Sequence, residues 1–141
     1  MNLSAKTEYA CIALMELALH RGGDPVRIRA IADAHGVPSR FLVQILLQLK
    51  AAGLVRSTRG AAGGYRLAQP PQGITLADVM DAVEGPLESA NSSAGRSTAV
   101  TQALQRTWQD VGEALRAKLE SITIARLAEE SGVPTENMYY I

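Results

Sequence analysis

Apolar residues in the first third of the chain recur at helical rather than alternating spacing. Tyr9, Ile12, Ala13 and Leu17 follow Ser4, a side chain suited to capping a helix N-terminus, and Gly22-Gly23 closes the run. The pattern predicts a first helix from Ser4 to about His20. Ile28, Ile31 and Ala32 mark a short second helix over 27–35, with Gly36 as its left-handed terminator. Pro38 then opens a third helix at or near its first position, and Gly53 closes it. Within it Phe41, Leu42, Ile45, Leu46 and Leu49 are expected to face the core. Two short helices joined by a tight Gly-containing turn have the spacing of a helix-turn-helix.

The period then changes. Leu54–Ser57 and Tyr65–Leu67 read as strands, separated by Thr58-Arg59-Gly60-Ala61-Ala62-Gly63-Gly64. Glycine reaches positive φ without steric cost, so this segment predicts a tight hairpin whose backbone can approach a surface closely. Pro70-Pro71 marks a boundary, and Thr75 begins a fourth helix with Leu76, Val79, Met80 and Val83 as its apolar stripe. Gly85-Pro86 stops it, and the Ser-, Ala-, Asn- and Gly-rich stretch Glu88–Ser97 is expected to be a mobile loop.

A long helix starts at Thr98. Its apolar positions Val100, Leu104, Trp108, Val111, Leu115, Leu119 and Ile122 cover 22 residues in six steps, nearer an 11-residue repeat than a heptad. A helix of roughly 33 Å needs a cover for its stripe, and this small chain offers only part of one. A second copy of the same helix is the simplest partner, giving a two-fold dimer, whereas packing wholly within one subunit is the alternative. Thr123 is placed to cap a last short helix through Ser131, and Gly132-Val133-Pro134 releases a tail. The expected architecture is mainly α. Residues 1–70 form a winged helix-turn-helix DNA-binding domain with a two-stranded wing, 71–97 a connecting helix and cysteine-free loop, and 98–141 the dimerisation helix, final helix and tail.

Composition sets the class. A chain of 141 residues with 47% hydrophobic content is long enough for one domain with its own core and an added element. One cysteine excludes an intrachain disulfide framework and points to the cytoplasm, no run approaches a membrane span, and the first residues lack the pattern of a signal peptide. A net charge of zero argues at first against a nucleic-acid partner. The distribution of charge argues the other way. Residues 1–68 carry nine Lys/Arg against four acids, and residues 69–141 carry five against ten. A basic half that coincides with a helix-turn-helix and a glycine hairpin is a polyanion-facing module.

A recognition helix enters the major groove with its N-terminal residues toward the base edges. In the third helix that leaves Ser39, Arg40, Val43 and Gln44 facing outward. Arginine bonds guanine bidentately, glutamine bonds adenine or a phosphate, and valine can touch a thymine methyl. Arg59, beside Gly60 at the hairpin tip, suits a narrow minor groove, where the potential is most negative. Arg27 and Thr58 are expected to hold phosphates and set register. His20 and His35 stand isolated along the chain, and no metal is assigned to either. No nucleophile–base pair, phosphate loop or metal-ligand cluster points to catalysis.

These residues resemble the IscR/NsrR/CymR-type winged-helix regulators along essentially the whole chain. The resemblance is carried by Tyr9-Ala10, Phe41-Leu42-Val43-Gln44-Ile45-Leu46, Gly53-Leu54-Val55, the run Arg59 to Tyr65, Ile74-Thr75-Leu76-Ala77-Asp78-Val79 and Glu84-Gly85-Pro86. It implies a homodimer on a palindromic double-stranded operator, acting as a repressor. Many members have Glu where this chain has Val43, so base selection there should differ. Cluster-binding members carry cysteines in the segment corresponding to Pro86–Thr107, where this chain offers Ser89, Ser92, Ser93 and Ser97. Serine is a poor substitute for a thiolate ligand, so no iron–sulfur cluster and no other cofactor is expected. Glu8, where some relatives supply an acidic cluster ligand, then becomes a surface or capping residue.

Cys11 is expected to be a small hydrophobe on the first helix, and redox sensing through it is the alternative. The ending Asn137-Met138-Tyr139-Tyr140-Ile141 resembles that of the CymR-like branch. It implies control of cysteine or sulfur metabolism, with O-acetylserine sulfhydrylase (cysteine synthase) engaged through Tyr139, Tyr140 and Ile141. A tail packed on its own dimer is the other reading, and a winged-helix protein-interaction module that does not bind DNA is the rival for the whole chain.

Overall fold

The computed structural model describes residues 3–20, 24–85 and 92–134. Its order is α1 (Ala5–Leu19), α2 (Ile28–His35), α3 (Ser39–Ala51), β1 (Val55–Thr58), β2 (Gly64–Leu67), α4 (Leu76–Val83), α5 (Ala99–Glu120) and α6 (Ile124–Glu130), with a short 3-10 turn at Pro71–Gly73 before α4. Side-chain caps set most of the helix starts. Ser4, Thr75, Thr98 and Thr123 each accept a hydrogen bond from the backbone N–H three residues on, satisfying a donor that the helix cannot. At α4 the cap is reciprocal, since Asp78 Oδ2 accepts from the Thr75 N–H at 3.0 Å. Gly36 ends α2 at φ 66°, the left-handed conformation expected of it.

One core joins these elements. Ala10, Ala13 and Leu14 of α1 and Leu42, Leu46 and Leu49 of α3 are wholly buried, as are Ile74, Val79 and Ile124. Burial of each large aliphatic side chain contributes about 1.5–3 kcal/mol, which makes the α1–α3 contact the centre of the fold. The chain returns to this centre late. Ile124 and Ala128 of α6 belong to the same cluster, and α6 packs on α1.

The two strands pair antiparallel, Val55 opposite Leu67, Arg56 opposite Arg66, Ser57 opposite Tyr65 and Thr58 opposite Gly64. Both lie slightly off the sequence expectation. Leu54 is buried before β1 begins, Thr58 extends that strand, and Gly64 is the first residue of β2. Val26, ahead of α2, adds a bridge to β2, with each N–H of Val26 and Tyr65 bonded to the other's carbonyl oxygen at 2.8 Å. The hairpin is thereby tied to the segment that leads into the helix-turn-helix.

α5 differs from every other helix. None of its residues is buried, although its outer apolar positions are large. Val100 is 79% exposed, Leu104 58%, Trp108 54% and Val111 49%. Among the described residues it is the C-terminal end that is fixed to the body. Arg116 Nη1 and Nη2 donate to the two carboxylate oxygens of Asp81 on α4 at 2.7 and 2.9 Å, and Nε donates to Glu120 at 2.8 Å. The guanidinium bonds hold the Asp81 carboxyl below its ordinary value. Just past α5, the Leu76 N–H donates to the Ile122 carbonyl at 2.9 Å and the Ile124 N–H to that of Ile74 at 2.8 Å.

Candidate nucleic-acid interface

The start of α3 presents Ser39, Arg40, Val43 and Gln44 to solvent, each of them exposed, while Leu42, Ile45 and Leu46 turn inward. The helix begins without a side-chain cap, because Pro38 stands at the capping position and its own carbonyl accepts from the Phe41 N–H at 3.1 Å. The free N–H groups of that first turn and the helix dipole favour an anion at this end. Arg27, the residue before α2, is also exposed.

The wing carries its own basic face. Val55 is buried and Tyr65 and Leu67 are half-buried, so these three turn toward the body, while Ser57, opposite Tyr65, stays exposed. Arg56, Thr58 and Arg66 alternate onto the outward face, and register sets Arg56 directly opposite Arg66. Like charges paired across strands cost stability unless something negative lies between or over them. The charge count along the chain includes both arginines, but only the pairing register brings them together. At the tip Thr58, Arg59 and Gly60 are exposed, and the turn is closed by the Gly63 N–H on the Gly60 carbonyl at 2.9 Å. A Cβ at Gly63 would stand 2.3 Å from the Thr58 carbonyl oxygen, so the tip requires glycine there. Lys50 near the end of α3 donates from Nζ to Ser57 Oγ at 2.7 Å, coupling the helix to the wing.

Phe41 departs from expectation. It is 46% exposed rather than part of the core, because the inward arc of α3 is already filled by Leu42, Ile45, Leu46 and Leu49. Its ring stacks with that of Tyr9 on α1, centroids 6.3 Å apart, and the Arg40 guanidinium carbon lies 5.0 Å from its centroid.

His20 and His35 are not isolated in space. Glu16 Oε1 lies 3.2 Å from His20 Nε2 and Glu16 Oε2 lies 2.8 Å from His35 Nε2, joining α1 to the end of α2. The two histidines are far apart along the chain, and the helical hairpin closes that distance. Burial alone would raise the Glu16 carboxyl, but the hydrogen bonds from His35 and His20 hold it below its ordinary value.

The apolar positions of the long helix divide into two groups. Val100, Leu104, Trp108 and Val111 are exposed, while Leu115 and Leu119 are half-buried at the end that meets α4. Ile122 lies beyond the last turn of α5, half-buried. Ser92, Ser93 and Ser97 are exposed, whereas Ser89 and the rest of 86–91 lie outside the described residues, as do Tyr139, Tyr140 and Ile141. Cys11 packs half-buried against the core, and desolvation pushes its thiol up to about 11. A thiolate-held iron–sulfur cluster does not fit these residues. The chain has one cysteine, which packs on α1, and among the described residues no group of three or more His, Cys, Asp or Glu is arranged to hold a metal ion.

The chain matches the family profile described as Rrf2, an iron-dependent transcriptional regulator, over residues 3–130. It is 39% identical over 135 residues to a helix-turn-helix type transcriptional regulator of Mycobacterium tuberculosis, covering 91% of this chain and 81% of that relative. CymR of Bacillus subtilis, a helix-turn-helix type transcriptional regulator, is 32% identical over 142 residues, with 100% of each chain covered. The solved structure of that CymR, described as the global cysteine regulator of B. subtilis, superposes with a TM-score of 0.80 over 92% of this chain and 98% of the other. T. potens IscR superposes with a TM-score of 0.74 at 34% identity, covering 99% and 97% of the two chains.

Proposed function

The chain belongs to the Rrf2 family of DNA-binding transcriptional regulators, and we propose that it is a homodimeric, sequence-specific repressor that works without an iron–sulfur cluster. The observation that carries this reading is the joint exposure of the α3 start and the wing tip, coupled through Lys50 and Ser57. Arg40 and Gln44 read base edges in the major groove, and Val43 meets a thymine methyl. Arg59 enters the adjacent minor groove, with Gly60 allowing close backbone approach. Ser39, Thr58 and Arg27 set register on phosphates, and the outward pair Arg56 and Arg66 adds two more cationic contacts.

The unburied stripe of α5 supports a second copy of the chain as partner, through Val100, Leu104, Trp108 and Val111 with Leu115, Leu119 and Ile122 toward the root of the helix. Two subunits related by a two-fold axis match a palindromic operator. Control of cysteine or sulfur metabolism is supported by the full-length similarity to CymR. In this reading the tail residues Tyr139, Tyr140 and Ile141 engage cysteine synthase, and a chain ending at Met138 should no longer co-purify with that enzyme.

Footprinting and titration on a duplex selected by the protein from a random-sequence library test the DNA reading. Arg59→Ala should weaken binding about tenfold and reduce the salt dependence by roughly one to two counterions per dimer. Unchanged affinity and unchanged salt slope would remove the wing from the interface.

A further inference from the structure

Residues adjacent in an α-helix diverge around its axis, so their side chains ordinarily do not meet. Arg40 and Phe41 nevertheless do, with the guanidinium carbon 5.0 Å from the ring centroid. The same ring stacks on Tyr9 of α1 with an interplanar angle of 28°. Phe41 is therefore in contact with a second helix and with an arginine, while staying half in solvent. Core packing does not account for that placement, because its neighbours Leu42, Ile45 and Leu46 fill the inward arc.

We propose that Phe41, supported by Tyr9, is the positioning residue for Arg40 at the DNA interface. The inference rests on α3 being the helix that reads DNA. An arginine free in solvent has several torsions to restrict when it meets a base, and that ordering opposes binding. An aromatic ring attracts the cation through its quadrupole and uses none of its hydrogen-bond donors. The five N–H groups of Arg40 stay available for a bidentate contact, while the range of positions open to the head group shrinks. Tyr9 contributes by restricting the ring itself, since stacked aromatic pairs favour defined offsets. Phe41 thus acts on sequence discrimination through Arg40, without touching a base.

The test uses the full-length protein and two probes, the duplex it enriches from a random library and an unrelated duplex of equal length. Phe41→Leu should weaken binding to the enriched duplex about three- to tenfold and leave binding to the unrelated one unchanged. Phe41→Tyr, which keeps an aromatic face, should restore wild-type affinity. In the Arg40→Ala background, Phe41→Leu should add less than about a twofold loss, because the group it positions is gone. Tyr9→Leu should shift the enriched duplex in the same direction by a smaller factor, and it carries the comparison if Phe41→Leu fails to fold by circular dichroism. Equal or tighter binding by the folded Phe41→Leu or Tyr9→Leu variant would overturn the proposal. So would an undiminished loss in the Arg40→Ala background. Wild-type affinity in Arg40→Ala alone gives a different failure, because it removes Arg40 from the interface and with it the premise about α3.

Discussion

Gly64 stands at φ 151°, and a Cβ built there would lie 2.6 Å from the Val26 carbonyl oxygen. That oxygen accepts the Tyr65 N–H, so it cannot retreat without breaking the bridge that holds the wing to the body. Gly64→Ala should therefore cost about 1–3 kcal/mol in denaturant unfolding, and the wing should become the first segment to exchange its amide protons. Wild-type stability and protection in that variant would mean that the wing is not anchored through Val26. The run of glycines is readable from the chain as a hairpin, but which glycine has a steric neighbour depends on Val26, which lies far from it in sequence. Cys11 follows the same logic. Its apolar neighbours foretell a packed position, and desolvation there pushes the thiol up to about 11, away from the reactive thiolate form. Phe41 resists such reading, because helical spacing counts it with the apolar face while the core needs only four of the five residues.

Between elements, polar contacts set geometry that hydrophobic spacing does not specify. Helix starts at Ser4, Thr75, Thr98 and Thr123 are legible because capping depends on the three residues that follow. The Glu16 bridge is not, since it joins side chains of two helices at a crossing that the chain encodes only through its core. Glu16 titrates below its ordinary 4.5 in the folded protein, so ionised Glu16 adds stability above the unfolded value and that contribution is lost as pH falls through the folded one. Chemical denaturation followed from neutral pH downward should show a loss of stability below about 4.5 that Glu16→Gln reduces. The difference should stay under about 1 kcal/mol, because His35 is partly solvent-exposed. Identical pH profiles for the two proteins would mean that the bridge between α1 and α2 adds nothing to the stability of the fold. Asp81 and Glu84 are also held below their ordinary values, so some acid sensitivity should persist in the variant.

At the scale of the molecule, the division between a basic amino-terminal half and an acidic remainder corresponds to a division between surfaces. In the basic half, exposed Arg40 and Lys50 stand on α3 and exposed Arg56, Arg59 and Arg66 on the wing, while the long helix leaves the body with an apolar stripe along its outer length. The stripe is legible from its spacing. Its splitting into a free outer part and a root fixed by Arg116 and Asp81 is not, because that depends on where α4 ends in space. The free part gives a clean way to separate assembly from folding. Trp108 is 54% exposed in the single subunit, so Trp108→Glu removes no core contact and should leave the unfolding cooperativity of the subunit intact. In a two-fold pair of α5 helices the same change would bury two carboxylates in an apolar seam, a cost of several kcal/mol at least. If the proposed dimer forms through α5, sedimentation should report a dimer for the wild type and a monomer for the variant. Operator affinity should fall by well over tenfold, because one subunit holds only one half-site and the second contact no longer benefits from linkage. Binding to an isolated half-site should barely change. A variant that stays dimeric, or a monomer that still binds the full operator at wild-type strength, would break the connection between the exposed helix and the palindrome.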